Sequence, residues 1–174
     1  MSLPDSPGVI WGNSADPARV KATVVVTSMA SDSHTWNLVY LQLLLEELGY
    51  DVVNLGSCVP DDLLISSCAE LRPALVVVSS VNGHGYADGM RVIDKLRACD
   101  QLVATPVVIG GKLGIDGAQT GAHIHNLMAS GFDAVFDDTA TGIQDFNRFV
   151  CAIPAKTQPE QVHWLLEPTP TGRL

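Results

Sequence analysis

The chain has 174 residues, of which 47% are hydrophobic, so its size and composition fit one domain with its own core. Its formal net charge of -9 at pH 7 disfavours a nucleic-acid partner and an anionic membrane surface. No apolar run reaches the length of a membrane-spanning helix, and the N-terminal residues lack the apolar core of a secretory signal. The four cysteines have no paired spacing, so we expect free thiols and a cytoplasmic location.

Five short runs rich in Val and Ile predict β-strands. They are nearly continuous in apolar residues instead of alternating, which indicates burial on both faces of a parallel sheet. The runs are Ala22 to Met29, Asp51 to Gly56, Ala74 to Ser80, Pro106 to Gly111 and Ala134 to Asp138.

Segments of helical length separate these strands. The first helix is predicted to begin near His34, capped by the oxygens of Ser31, Asp32 and Ser33, and to end at Gly49. Leucines 38, 41, 45 and 48 share its apolar face. The other four helices are expected from Pro60 onward and within residues 85–99, 117–130 and 142–150. This βα repeat predicts an α/β fold, a doubly wound, five-stranded parallel sheet of the flavodoxin-like (Rossmann-like) type, in the order 2-1-3-4-5.

Three loops rich in small residues follow strands one, three and four: "SMASDSHTWN", "SSVNGHGYADG" and "GGKLGIDG". Ligands of such sheets bind beyond the carboxyl ends of the strands, near the switch point between strands one and three. Small residues let a ligand approach the backbone closely. The three loops together therefore predict one site for a bulky, mostly neutral ligand.

Several common sites of this fold class do not fit the residues. The loop after strand one has no glycine with which to wrap a flavin phosphate. A receiver domain needs an aspartate at the end of strand three, where this chain has Ser79 and Ser80. His123 and His125 are two residues apart on a predicted helix, so they diverge and do not form a zinc site. One histidine suffices for a metal only where other ligands already fill the remaining positions, as a corrin ring does for cobalt.

The segments "SDSHTWN", "VVVSSVNGHG" and "VVIGGKLG" resemble the D-x-H-x-x-G, S-x-L and G-G motifs of cobalamin-binding domains that bind the cofactor with its tail displaced and a histidine on cobalt. The resemblance runs from about Lys21 to Val150 and is to the small subunit of glutamate mutase, also called methylaspartate mutase. Asn37 stands at the glycine position of the first motif, and Val81 stands at the leucine position of the second.

The resemblance implies that His34 is the lower axial ligand of cobalt and that Asp32 orients its imidazole ring. Ser31, Ser33, Thr35 and Asn37 would then lie against the cofactor. The residues implied around the dimethylbenzimidazole tail are Ser79, Ser80, Val81, Gly110, Gly111, Lys112, Leu113, Gly114 and Thr139, with Thr141 as an alternative to Thr139.

The activity that the resemblance implies is carbon-skeleton rearrangement with adenosylcobalamin, from glutamate to 3-methylaspartate or a related amino acid. The chain would be the cobalamin-binding subunit, and a separate, larger barrel-type subunit would carry the substrate site. Homodimerisation is left open. Two alternatives are a corrinoid methyl carrier of a methyltransferase system, in which a helical cap is expected before the first strand, and a non-enzymatic cobalamin sensor, in which an output domain is expected.

The expected organisation is an N-terminal arm over residues 1–20, a cobalamin-binding domain over residues 21–153, and a Pro-rich C-terminal tail over residues 154–174. The tail contains an apolar island that could dock on the domain or on a partner, formed by Val162, Trp164, Leu165 and Leu166. His84 could face the upper side of the corrin ring, and the alternative is a polar loop residue.

Overall fold

The computed structural model describes residues 21–115 and 120–153. The predicted N-terminal arm and the Pro-rich tail with its apolar island lie outside these residues, as does the start of the predicted fourth helix at residues 116–119. Within the described ranges, no helix is both long enough and apolar enough to cross a membrane.

Five strands alternate with five helices along the described chain. The strands are β1 (Thr23–Ser28), β2 (Asp51–Asn54), β3 (Leu75–Ser80), β4 (Val107–Gly111) and β5 (Ala134–Asp137). The helices are α1 (Trp36–Glu47), α2 (Asp61–Leu71), α3 (Gly85–Arg97), α4 (Thr120–Ala129) and α5 (Ala140–Ala152). All neighbouring strands pair in parallel in the order β2-β1-β3-β4-β5, which confirms the flavodoxin-like sheet predicted from the sequence.

The sheet separates two hydrophobic cores, as expected for strands that are buried on both faces. Every residue of β3 is buried, and successive side chains enter opposite cores: Val76 and Val78 enter one, and Val77 enters the other. The first core includes side chains of α2, α3 and α4, and the second includes side chains of α1 and α5. The carboxyl edge of the sheet therefore has helices on both sides.

Helix α1 begins later than the sequence predicted. Its first residue is Trp36, and the capping residue Thr35 makes no side-chain hydrogen bond to the helix. The predicted capping by Asp32 is wrong, because both carboxylate oxygens of Asp32 are used by the backbone of His34 and of the loop after β3. On the predicted apolar face, Leu38 and Leu45 are buried, whereas Leu48 is 39% exposed.

The register of β3 and β4 brings the serine pair and the glycine pair together at the carboxyl edge. Ser79 lies opposite Gly110, and Ser80 lies opposite Gly111. Gly111 has φ +97°, and a Cβ atom built on it would lie 2.2 Å from the carbonyl oxygen of Ser80. Only glycine fits this position, so the close approach of the two strand ends depends on it.

Candidate functional site

A buried carboxylate orients the histidine of the loop after β1. The Asp32 side chain is 1% exposed, and its Oδ1 atom lies 2.6 Å from Nδ1 of His34. An ionised carboxylate only accepts hydrogen bonds, so Nδ1 carries the proton and Nε2 of a neutral ring keeps its lone pair. The His34 side chain is 44% exposed, so a ligand can reach this histidine.

The carboxylate of Asp32 also ties two loops together. Its Oδ1 atom accepts the backbone N–H of His34 at 3.1 Å, and its Oδ2 atom accepts those of Val81 at 2.6 Å and Asn82 at 3.2 Å. Burial by itself raises the pKa of Asp32, but the hydrogen bonds from Val81, the His34 ring, the His34 backbone and Asn82 outweigh it and hold the pKa below its ordinary value. Asp32 is therefore charged at neutral pH.

Asn82, which sequence reasoning missed, strengthens the same junction. Its Nδ2 atom donates to the carbonyl oxygen of Ser31 at 2.9 Å and to Oγ of Ser31 at 3.0 Å. Ser31 Oγ in turn donates to a carboxylate oxygen of Asp88 on α3. The sequence signal was weak, since an Asn before Gly usually indicates only a turn. Of the other residues predicted in this loop, Ser33 and Thr35 are exposed.

A cleft of about 460 Å³ lies at the carboxyl edge of the sheet between α1 and α5. Most of the residues predicted around a cofactor tail line it. These are Ser79, Ser80, Val81, Gly110, Gly111, Lys112 and Thr139, and Asn37, which was predicted to lie against the cofactor, lines the cleft as well. The structure therefore brings residues from α1, β3, β4 and the loop after β5 to one cavity. Thr139 is also the capping residue of α5, and its side chain accepts the N–H of Gly142.

The walls contributed by the two helices were missed by sequence reasoning. Trp36 and Tyr40 of α1 line one side, and Gly142, Ile143 and Phe146 of α5 line the other. A spacing of three or four residues puts these α5 side chains on one helix face, which is the signal that was available in the sequence. Without a reason to orient that face toward a ligand, the same spacing indicates only a core helix.

One wall of the cleft is formed by backbone instead of side chains. A Cβ atom built on Gly110 would lie 3.2 Å from the carbonyl oxygen of Phe136, and one built on Gly142 would lie 2.2 Å from that of Asp137. Larger residues would push these segments apart. The absent side chains therefore allow β4 and the first turn of α5 to pack closely against β5.

The inner end of the cleft carries a polar pair. Nδ2 of Asn37 donates to Oγ of Ser79 at 2.7 Å, and both residues are 6% exposed. Oδ1 of Asn37 is shielded from solvent and has no hydrogen-bond partner among the described residues. Buried polar atoms are rarely left unpaired in proteins, so this oxygen is an unused acceptor at the edge of the cleft.

Leu113 and Gly114 lie elsewhere than the other predicted tail contacts. They line a second cavity of about 220 Å³, which His84 and His123 also line. His123 stacks on Tyr86 with ring centroids 4.1 Å apart, while His125 is exposed, so the two histidines diverge as predicted. Across residues 21–115 and 120–153, no group of three or more His, Cys, Asp or Glu residues could hold a metal ion.

Comparison with known protein families identifies the family to which this chain belongs. The family model of the B12 binding domain matches residues 22–140, which include both strand-end motifs and the Asp32–His34 pair. The chain belongs to the B12-binding domain family. It is accordingly a cobalamin-binding chain, as the sequence motifs indicated.

Curated relatives agree with this assignment, and a solved structure shares the fold. The chain is similar to the glutamate mutase sigma subunit of Fusobacterium nucleatum, with 28% identity over 67% of this chain and 85% of the relative. It is also similar to glutamate mutase sigma subunit 1 of Haloarcula marismortui, with 31% identity over 66% of this chain and 75% of the relative. A cobalamin-binding protein from Desulfitobacterium hafniense shares the fold, with a TM-score of 0.58 and 22% identity over 74% of this chain and 59% of that protein.

The residues at this edge fit a B12 cofactor. A corrin ring fills four equatorial positions of cobalt, so such a cofactor needs at most one protein ligand. His34 is one imidazole held by a buried carboxylate, and its second ring nitrogen has no hydrogen-bond partner within residues 21–115 and 120–153. The cleft beside it has the mostly apolar walls and few polar groups that suit a flat aromatic base.

Proposed function

We propose that this chain is the cobalamin-binding subunit of an adenosylcobalamin-dependent carbon-skeleton mutase. In this proposal His34 is the lower axial ligand of cobalt, and the cofactor tail is displaced into the cleft between α1 and α5. The reaction is that of glutamate mutase, from glutamate to 3-methylaspartate, or that of a related amino acid. The substrate site lies on a separate, larger barrel-type subunit. Four free cysteines among the described residues favour the cytoplasm as the compartment.

The observation that carries the proposal is the 2.6 Å contact between Asp32 Oδ1 and His34 Nδ1. Metal-bound histidines commonly donate their other ring N–H to a carboxylate, which fixes the ring and raises its donor strength. Asp32 is well suited to this role, because its pKa is lowered and its second oxygen is anchored by Val81 and Asn82. The imidazole is thereby oriented before any cofactor arrives.

The cleft residues have a separate role in the proposal. They bind the displaced tail and keep its base away from cobalt, so that His34 has no competitor for the lower position. Trp36, Tyr40, Ile143 and Phe146 supply apolar contact area, and Ser79 supplies a hydroxyl for a ring nitrogen. When bound, adenosylcobalamin supplies the radical chemistry, and the protein contributes binding and orientation.

The relatives named glutamate mutase sigma subunit support a mutase over a methyl carrier or a sensor. A subunit of this kind has no turnover alone. The direct test is reconstitution with adenosylcobalamin and a candidate barrel subunit, followed by detection of 3-methylaspartate from glutamate. Cofactor methylation by a methyltransferase, with no turnover by any mutase partner, would instead favour the methyl carrier.

The ligation is tested spectroscopically. The chain is loaded with cobalamin, reduced to the cob(II) state and examined by electron spin resonance with ¹⁵N-labelled histidine. We expect hyperfine coupling from a histidine nitrogen that is lost in His34→Ala and kept in His84→Ala. A spectrum with the cofactor's own base on cobalt would overturn the proposed ligation.

A further inference from the structure

The polar pair at the inner end of the cleft distinguishes this chain from the motif it otherwise follows. Asn37 occupies the glycine position of D-x-H-x-x-G, and it is buried on the first turn of α1. Its Nδ2 atom donates to Oγ of Ser79 at 2.7 Å. A glycine there would provide no side-chain hydrogen bond, so Asn37 adds polar chemistry to a wall that is otherwise mainly apolar.

The hydrogen-bonding capacity of this pair is only half used. Ser79 Oγ accepts from Asn37, and no acceptor for its own hydrogen lies among the described residues. Asn37 Oδ1 has no donor in the same part of the chain. Ser80, one residue on, differs because its single hydroxyl hydrogen has two acceptors within reach, Asn82 Oδ1 at 3.4 Å and the carbonyl oxygen of Lys112 at 3.3 Å. The pair therefore offers one free donor and one unpartnered acceptor side by side.

We propose that Asn37 and Ser79 select cobamides whose lower base carries an amino group as well as a ring nitrogen, as adenine does. Ser79 donates to the ring nitrogen, and Asn37 Oδ1 accepts a hydrogen from the exocyclic amine. The inference rests on the proposed binding of the displaced tail in this cleft. It concerns which base the cleft prefers, and it leaves the ligation of cobalt by His34 unchanged.

The physical basis is the asymmetry between made and unmade hydrogen bonds. Dimethylbenzimidazole has a ring nitrogen but no N–H or O–H donor on its displaced base, so it would leave Asn37 Oδ1 unpaired. An exocyclic amine removes that cost. Because Oδ1 is shielded from solvent, the contact requires a partial rotation of the carboxamide about χ2 that retains the hydrogen bond from Nδ2 to Ser79, and χ2 of Asn has broad preferences.

Competing lower bases test the proposal directly on the full-length protein. Equilibrium dialysis measures the dissociation constants of three aquacobamides, with adenine, unsubstituted purine or 5,6-dimethylbenzimidazole as the lower base. Purine has the ring system of adenine without the amine, so the comparison isolates one hydrogen bond. We expect adenine to bind about fivefold more tightly than purine, as one net neutral hydrogen bond implies. We expect it to exceed dimethylbenzimidazole by at least as much.

Variants assign the preference to the carboxamide. In Asn37→Gly and Asn37→Ala we expect the adenine-to-purine ratio to fall to about one, whereas Gln144→Ala, which removes an exposed carboxamide on α5, keeps the ratio of the unmodified chain. The ratio is taken on one preparation at a time, so partial unfolding of a variant affects both cobamides equally. The comparison of adenine with purine cobamides on the unmodified chain tests the base preference even if both variants fail to fold.

The outcomes separate this inference from the proposed function. Equal affinities for adenine and purine cobamides, with histidine coupling to cobalt intact, overturn the base preference alone. A preference that persists in both Asn37 variants overturns its assignment to Asn37. Loss of histidine coupling with every cobamide overturns the proposed function, and a base preference measured under that result would concern a different binding mode.

Discussion

Asp32 Oδ1 lies 2.6 Å from His34 Nδ1, and Asp32 Oδ2 accepts the backbone hydrogens of Val81 and Asn82. One buried carboxylate therefore holds the histidine of the β1 loop against the end of β3. The imidazole and the wall of the cleft are connected through it, so a change at Asp32 affects both the proposed ligand and its surroundings.

Asp32→Asn is expected to weaken cobalamin binding by about 10–100-fold. The carboxylate accepts hydrogen bonds from the His34 ring and from three backbone N–H groups on its two oxygens, whereas a carboxamide has only one acceptor oxygen. The dissociation constant is measured by equilibrium dialysis, with far-ultraviolet circular dichroism as a check of folding. Asp94→Asn, the same substitution at an exposed carboxylate on α3, is the matched control and keeps the affinity of the unmodified chain. Unchanged binding in a folded Asp32→Asn protein would contradict the role given to Asp32.

Gly111→Ala is expected to reduce the free energy of unfolding by about 2–4 kcal/mol, because it adds left-handed backbone strain and overpacking. Gly111 has φ +97°, and its Cβ would lie 2.2 Å from the Ser80 carbonyl oxygen. Gly121 on α4 has nothing within 4 Å of its Cβ position, so Gly121→Ala is the control and changes stability by less than about 1 kcal/mol. Urea unfolding measures both, and equal stabilities of the two variants would refute the steric argument.

Arg97 holds the opposite edge of the sheet together. Its guanidinium donates to the carbonyl oxygens of Thr105 at 2.8 Å and Gly131 at 2.7 Å, and it pairs with Asp133 at 2.7 Å. Arg97→Ala leaves these acceptors without their donor and is expected to cost about 2–4 kcal/mol of stability.

The charge of Arg97 is not sufficient by itself, since the ammonium of Lys cannot reproduce the guanidinium fork. Arg97→Lys is therefore expected to recover less than half of the lost stability. Arg148→Ala serves as the control, because that side chain is 76% exposed and its ion pair with Asp145 contributes less than about 1 kcal/mol. Thermal unfolding ranks the variants, and a ranking in which Arg97→Ala equals Arg148→Ala would be evidence against the network.

Cys68 is expected to resist alkylation in the folded protein. Burial, and secondarily the neighbouring Cys99, raise the pKa of its thiol from 9.0 to about 12. Iodoacetamide at pH 8 followed by mass spectrometry is expected to label the exposed Cys58 and Cys151 first, and Cys68 only after denaturation. Labelling of Cys68 at the rate of Cys58 in the native protein would show that the α2 core opens readily.

The same thiol gives stability a pH dependence. The folded pKa lies above the unfolded one, so unfolding releases a proton when the pH is between about 9 and 12. The contribution of Cys68 to stability is complete below that window and is lost as the pH rises through it. Cys68→Ala is expected to flatten the fall of the urea midpoint between pH 8.5 and pH 10, and an unchanged slope would exclude Cys68 as its source.

The strand order and the approximate bounds of most elements followed from local features. Runs such as "ALVVVSS" favour a central parallel strand, and β3 is buried along its whole length. The start of α1 was predicted two residues too early. The polar residues before Trp36 indicate capping, but the Asp32 side chain hydrogen-bonds to the loop after β3 instead. Sequence spacing cannot reveal such a competing partner.

The motif residues of the candidate site were found because they are consecutive in the chain, whereas the helix walls were not. Ser79, Ser80, Gly110 and Gly111 stand at strand ends, where a parallel sheet brings them to one edge. Trp36 and Phe146 are far apart in sequence, and their shared cleft depends on how α1 and α5 pack against the sheet. Leu113 and Gly114 follow the glycine pair but line the second cavity.

The fold class, the order of the strands and the B12-binding family follow from the amino-acid sequence alone, because hydrophobic patterning and short motifs are local properties of the chain. Three further relationships arise only when the chain is folded: Asp32 accepts hydrogen bonds from two loops, α1 and α5 enclose a cleft of about 460 Å³, and Asn37 donates a hydrogen bond to Ser79. These relationships depend on distances between residues that are remote in sequence. Only the packing of helices on the sheet sets those distances, and the chemistry of the site follows from them.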